Sequence, residues 1–423
     1  MSPFQLSESN INRKPKYRQP GPILFLFFIC WFLLHPVKAQ EVGPWSLNGY
    51  NSLMPQMMWS SMHFDTLSDF ERAHQYLLHN RLNIYWTPKG KVTGSLQFRN
   101  QVMIGDFTSG VENGFQTDNY YLPLSFYQNF GSEGLISLTA DRAWLQYSHK
   151  QTEITLGRQR INWGQTFVWN PNDIFNTYNF FDFDYAERPG ADALRVVYYT
   201  GQTSVAEIAA KLDSGAHVTS AALFRFNYRG KDIQLMSGYY SQPALVNPGN
   251  ATDADWVTGL GATGDYRGMS IRTEMSYFHP LESSSNKEKL FLFSTGLDAT
   301  FKNEIFASAE FFYASRIVNT TTANLNNLYN APLTVKNLAW AKYNLLVQGS
   351  YPVTPLLITS LSCMLFTDAT ITGYFVGPSI DFSILNNLDL ALYFQFFRTR
   401  QAINPSDLQT ITRFVFLRIK WSF

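Results

Sequence analysis

From about residue 76 to the C-terminus, apolar side chains recur at every second position in one run after another, the period of a β-strand and not of a helix. Val92, Leu96, Phe98 and Val102 oppose Thr93, Ser95, Gln97, Arg99 and Gln101. Phe291, Phe293, Leu297 and Phe301 oppose Ser294, Gly296 and Asp298. Leu390, Leu392, Phe394 and Phe396 oppose Asp389, Ala391, Tyr393 and Gln395. The chain ends in the same manner, with Val415, Leu417, Ile419, Trp421 and Phe423 on one face and Arg418, Lys420 and Ser422 on the other.

Short polar turns punctuate these runs at Thr87–Gly90, Ser148–Gln151, Thr200–Thr203, Tyr228–Lys231, Asp265–Gly268, Phe301–Glu304, Tyr351–Thr354 and Leu385–Leu388. Several of them carry the Gly, Pro or Asn that a tight hairpin needs. Between them lie mostly longer connections, 105–134, 162–189, 242–254, 279–288, 316–337 and 400–409, with two shorter ones at 213–216 and 367–371. Alternating short and long links predict an all-β fold, a transmembrane antiparallel up-and-down β-barrel with short periplasmic turns and long extracellular loops. Eight turns join sixteen strands and the terminal strand makes seventeen. A single-chain barrel usually has an even number. Trp45–Leu53 therefore supplies the first of eighteen, with sixteen the competing count.

Composition agrees with that assignment. Aromatic residues make up 16% of the chain and charged residues only 15%, against about 25% charged in soluble domains. Lipid-facing positions exclude charge and aromatic girdles line the interfaces. A soluble barrel would reverse the faces, and eighteen strands enclose a lumen too wide for side chains to fill. A polar inner face then implies water. The net charge of +1 argues against nucleic acid as a partner. At the N-terminus, basic Arg13, Lys14, Lys16 and Arg18 precede the apolar run Ile23–Leu34 and the small-residue site Val37-Lys38-Ala39. This predicts a secretory signal peptide, residues 1–39, cleaved near Ala39 to leave 40–423 as one barrel domain. The competing reading is an uncleaved anchor, for which the run is too short. Cleavage leaves Cys363 alone, so no intramolecular disulfide is expected.

Alternation aims Arg81, Arg99, Arg195, Arg225, Arg418 and Lys420 into the lumen, mainly from the early strands and the last one, and Glu274, Asp298, Glu310, Asp381 and Asp389 from the later strands. Opposed basic and acidic walls are one expectation, although Glu207, Lys211, Arg272 and Lys342 break the pattern; local pairing is the other. The most distinctive stretch runs from Leu156 through Trp163-Gly164 to Asp192. Its loop, 162–189, is so rich in rings (Phe167, Trp169, Phe175, Tyr178, Phe180, Phe181, Phe183, Tyr185) that it must pack against something, either inside the lumen or over its mouth. Constriction candidates are Arg158, Arg160, Trp163, Trp169, Asn170, Asp173, Asp182, Asp184, Glu187 and Arg188. Strict alternation after Ile154 and Leu156 points Arg158 and Arg160 at lipid, unless they sit at headgroup level or a bulge at Gly157 redirects them. Asp173, Asp182, Asp184 and Glu187, with Asn176 and Asn179, offer hard oxygen ligands, but their spacing fits no EF-hand and they read as ordinary loop residues. No metal or cofactor is expected.

Phe414–Phe423 resembles the C-terminal signal of bacterial outer-membrane β-barrels, in which the last strand closes the barrel. The resemblance implies that Trp421 and Phe423 are read by the barrel-assembly machinery, and that outer-membrane lipid and lipopolysaccharide surround the wall. A strand closing on Gly157-Arg158-Gln159 and entering Trp163-Gly164 is similar to porin-type and alginate-export-type barrels, in which that region feeds loops bordering the channel. The likeness implies a passive channel for small polar solutes or an oligosaccharide. Trp169-Asn170-Pro171-Asn172-Asp173 matches no family of known substrate, so the solute stays open. Export or surface organisation of a polysaccharide is the main alternative. A hydrophobic-solute channel gated by Met54, Met57, Met58, Trp59 and Met62 is the second. An enzyme is disfavoured, because none of His63, His74, His79, His149, His217 and His279 has a nearby serine with an obvious third partner.

Overall fold

The computed structural model describes residues 40–64, 67–106, 120–131, 133–177, 187–243, 252–281, 288–317, 334–403 and 406–423. The expected signal segment, and Asp182 and Asp184 with Asn179, lie outside them. Eighteen antiparallel strands form the wall. The first six are β1 (Trp45–Phe64), β2 (Leu67–Trp86), β3 (Val92–Gly105), β4 (Gly134–His149), β5 (Thr152–Gln159) and β6 (Ala191–Tyr199). Next come β7 (Ser204–Leu212), β8 (Val218–Tyr228), β9 (Lys231–Pro243), β10 (Thr252–Tyr266), β11 (Met269–Pro280) and β12 (Leu290–Thr300). The last are β13 (Phe306–Ala314), β14 (Tyr343–Thr354), β15 (Leu357–Thr367), β16 (Ile371–Leu385), β17 (Leu388–Ile403) and β18 (Ser406–Ser422). Each pairs with the next, and β18 returns to β1 with Leu53 opposite Ile419 and Asn51 opposite Trp421. The seam ends in two reciprocal bonds of 2.9 Å, Gly49 N–H to Phe423 O and Phe423 N–H to Gly49 O.

The faces follow the alternation. Leu156 and Ile208 are 64% and 61% exposed, while Arg81, Glu274 and Glu310 on the other face are buried. Apolar side chains outside and polar ones inside are the arrangement lipid requires. Seven of the eight short turns form where expected, and the eighth is displaced toward the C-terminus. Two of them, Arg229-Gly230 and Arg267-Gly268, hold both central residues at positive φ (53° and 77°, 52° and 83°), the type I′ geometry that matches strand twist.

Three boundaries differ from expectation. The connection expected at 400–409 is strand on both sides, with Arg400 opposite Gln409 and Ile403 opposite Ser406. The turn read at Tyr351–Thr354 is the end of β14, and the chain reverses at Pro355-Leu356. The β1–β2 hairpin runs 20 residues on each side and reaches Phe64 and Leu67. Polarity marks where the lipid ends, and a ladder of backbone hydrogen bonds continues past that level. The methionines of β1 are therefore wall residues and form no separate hatch: Met54 and Met58 are buried, and Met57 is exposed on the other face. In contrast, β5, β6 and β7 have only eight or nine residues, close to the minimum for a crossing strand. Ser125–Phe130 pairs with the upper part of β4, above the end of β5.

Candidate functional site: the segment seated in the lumen

Beyond Gln159 the chain leaves the wall and crosses to lumen-facing residues of β7 to β13. Glu310 on β13 accepts backbone N–H bonds from Phe167 (2.8 Å), Val168 (3.0 Å) and Trp169 (2.7 Å). Glu274 on β11 accepts from Thr166 (2.8 Å), Asn172 (3.1 Å) and Gln165. Backbone N–H groups without ladder partners are costly when buried, and two carboxylates satisfy six of them here. Gln234 donates to Trp163 O (2.9 Å), and Ser276 donates to Pro171 O (2.8 Å). The wall is cut away to receive the segment. A Cβ on Gly259 would meet Asn172 Oδ1 at 2.4 Å, and one on Gly261 would meet Gln165 Oε1 at 2.7 Å.

Tyr178, Phe180, Phe181, Phe183 and Tyr185 lie outside the described residues, and among the described rings of the segment Trp163, Trp169 and Phe175 are packed rather than solvated. Trp163 is fully buried, edge-on to Phe175 at 4.8 Å, and its indole donates to Glu207 Oε1. Trp169 stacks on Phe312 of β13 at 5.6 Å. Asn176 ties the ends together by accepting from Ile161 N–H (2.9 Å) and donating to Pro189 O (2.9 Å). Asn170 donates to Val168 O at 3.3 Å, and Asp173 N–H bonds back to Asn170 O at 3.1 Å. Burial raises the Asp173 carboxyl to about 7, outweighing the opposing pull of Arg188 and of a backbone bond from Trp163. Of the oxygen ligands considered from sequence, Asp182, Asp184 and Asn179 lie outside the described residues; among the described residues no group of three or more acidic, His or Cys side chains is placed to hold a metal ion.

Arg158 is not in this segment's lumen-facing set. Gly157 takes φ 115°, and the side chain of Arg158 is then fully buried. It bonds Asp192 (2.8 and 3.1 Å), Ala140 O (3.0 Å) and Leu122 O (2.7 Å), with Tyr120 stacked at 3.8 Å. It clamps the loop before Ser125 onto the end of β5. Arg160 is exposed. Glu187 lies 3.7 Å from Arg81 and accepts from Tyr50 OH (3.4 Å), while Arg188 O accepts from Arg142 (2.6 Å).

The wall charges interleave instead of forming two opposed walls. Arg81, 1% exposed, lies 2.9 Å from Asp141, and Arg99 is its register partner on β3. Arg195 grips Glu207 at 2.7 and 2.8 Å. Arg272 is 3.3 Å from Asp298, and Arg418 is 3.9 Å from Asp381. Arg225 donates to Gln234 at 3.4 Å and Asp389 accepts from Ser383 at 2.9 Å. Lys420 stands over the Tyr50 ring at 4.4 Å, and Arg418 over Tyr393 at 5.3 Å. A low-dielectric wall favours such pairing over separated charge.

Sequence reading missed a second inward segment, 334–342. Lys336 pairs with Asp255 of β10 at 2.7 Å, and Trp340 packs on Phe366 (5.2 Å) and Phe397 (5.9 Å). Those two wall rings, with Phe312, Phe375, Phe414 and Phe416, stand on the lumen face. Their apolar character at inward positions was the available signal.

No family model and no curated protein matches the chain. Solved structures do match. OccK7 (OpdD) of Pseudomonas aeruginosa is 7% identical with a TM-score of 0.52, over 89% of this chain and 99% of that one. OccK11 (OpdR) of Pseudomonas aeruginosa is 8% identical with a TM-score of 0.49, over 89% and 96%. OccAB2 of Acinetobacter baumannii is 9% identical with a TM-score of 0.46, over 89% and 98%. At such identities the likeness bears on the fold alone, and OccK7 carries it. The chain has the fold of a porin-type barrel of the bacterial outer membrane, with eighteen strands.

Proposed function

We propose that the protein is a porin-like, non-enzymatic channel through which small polar solutes diffuse, and that segment 160–177 sets its bore. The observation that carries this reading is the seating of that segment on Glu274 and Glu310. β11, which bears Glu274, stands nine strands (11 − 2) from β2, which bears Arg81, so the two lie on opposite sides of an eighteen-strand ring. The segment therefore narrows the passage toward the wall that carries Arg99, Arg418 and Lys420. Solutes crossing there meet interleaved charges and polar side chains at close range, which favours polar over apolar cargo.

Planar-bilayer recording tests this. Glu274→Gln/Glu310→Gln weakens the anchoring of six amides and is expected to raise single-channel conductance. Arg99→Glu/Arg418→Glu is expected to move the reversal potential toward cation selectivity, most at low salt. Unchanged conductance in the first variant together with unchanged selectivity in the second overturns the reading. Current blocked by oligosaccharides but untouched by small polar solutes favours polysaccharide export instead.

A further inference from the structure

Two periplasmic hairpins repeat one device. Tyr228-Arg229-Gly230 joins β8 to β9, and Tyr266-Arg267-Gly268 joins β10 to β11. In each, the arginine takes a left-handed backbone (φ 53° and 52°) and its guanidinium lies 5.2 Å from the centroid of the preceding tyrosine ring. That backbone position normally selects Asn, Asp or Gly, because a longer L side chain is strained there. The turn alone gives no reason for arginine, let alone twice with the same geometry.

The surroundings supply a reason. Tyr228 and Tyr266 are each 54% exposed. Their register parity puts them with Phe224 and Leu260 on the lipid-facing side, at the periplasmic edge of the wall. Lys231 shares that face, opposite Tyr228 on one side and Gly264 on the other. Gly264 presents no side chain, and a Cβ there would lie 3.0 Å from Lys231 Cγ. The acids of these two hairpins are engaged or turned away. Asp232 accepts from Asn227 at 2.9 Å, and Asp265 has the inward parity of Gly261. Two strand spacings separate the hairpins, about 10 Å, the scale of one lipid headgroup.

We infer that Arg229, Lys231 and Arg267, flanked by Tyr228 and Tyr266 over the notch at Gly264, form a binding site for the phosphate of an anionic phospholipid in the periplasmic leaflet. The rings lie at headgroup depth, where amphipathic aromatics favour the interface. The three cations then meet one phosphodiester at short range, outside the channel and independent of what passes through it.

The test uses the folded barrel in phosphatidylcholine vesicles containing a small fraction of spin-labelled phosphatidylglycerol, with spin-labelled phosphatidylcholine as the reference lipid. Arg229→Asn/Arg267→Asn keeps residues that suit the left-handed positions, so the turns are expected to form and the barrel to remain heat-modifiable. The wild type is expected to prefer phosphatidylglycerol. The variant is expected to lose about fivefold of that preference for each arginine replaced, with conductance unchanged. High salt is expected to abolish the wild-type preference without any mutation, since exposed charges are screened within about 3 Å at 1 M. A wild type that shows no preference for phosphatidylglycerol, a variant that keeps the wild-type preference, or a preference indifferent to salt, overturns the site.

Discussion

Lys336 Nζ lies 2.7 Å from Asp255 Oδ2, with the two side chains only 4% and 3% exposed. The pair joins the inward segment 334–342 to β10, far away in sequence and on a different part of the wall. Removing one partner of such a pair strands a buried charge, at a cost of about 3–5 kcal/mol, whereas replacing both with apolar residues is often neutral or better. The barrel ladder itself does not depend on the pair, so the cost is expected to appear as undocking of the segment.

Asp255→Asn is accordingly expected to expose Trp340 to chymotrypsin added outside proteoliposomes, while Asp255→Leu/Lys336→Met resists cleavage as the wild type does. Equal resistance in all three would show that the pair does not hold the segment.

The seating of segment 160–177 is expected to depend on pH through Asp173. Its carboxyl sits near 7 in the folded chain against 3.8 for the free group, because burial disfavours the charged form. A raised acid pKa contributes stability that is full below 3.8, is lost as pH rises from there through about 7, and changes no further above it. The docked segment is therefore firmer at pH 5 than at pH 8, and single-channel conductance is expected to increase over that interval. Asp173→Asn is expected to flatten the dependence. A variant with the same pH profile as the wild type would remove Asp173 as its source.

Closure of the wall rests on Gly49 and Phe423, which exchange backbone bonds of 2.9 Å in both directions. A Cβ on Gly49 would lie 2.1 Å from the Arg81 carbonyl oxygen and 2.8 Å from the Phe423 ring. Gly49→Val is expected to block the seam, and deletion of Phe423 to weaken it, because an open edge leaves backbone groups unsatisfied in lipid. Both proteins are expected to accumulate as species that do not shift on heating in gel electrophoresis, and a full yield of heat-modifiable barrel would refute this.

The wall was legible in the sequence because its physics is local. Lipid on one side and water on the other force each strand to alternate, so Leu390–Phe396 and Val415–Phe423 declare their faces without reference to any neighbour. Eight polar turns and the strand at Trp45 then gave the count of eighteen. The strand ends were less legible, because ladders such as Arg400 opposite Gln409 continue after the lipid stops imposing a pattern.

What fills the barrel was decided by tertiary structure. The run of rings in 162–189 required a packing surface, but only the closed ring brings Trp169 to Phe312 and the amides of 165–172 to Glu274 and Glu310, more than 100 positions away. Charge parity likewise says that Arg81 and Asp298 face inward. It does not say that Asp141 lies 2.9 Å from the first and Arg272 3.3 Å from the second. Alternation fixes which side of a strand a residue takes. Register, curvature and the path of the inward segments fix what it meets there, and those arise only when the ring closes.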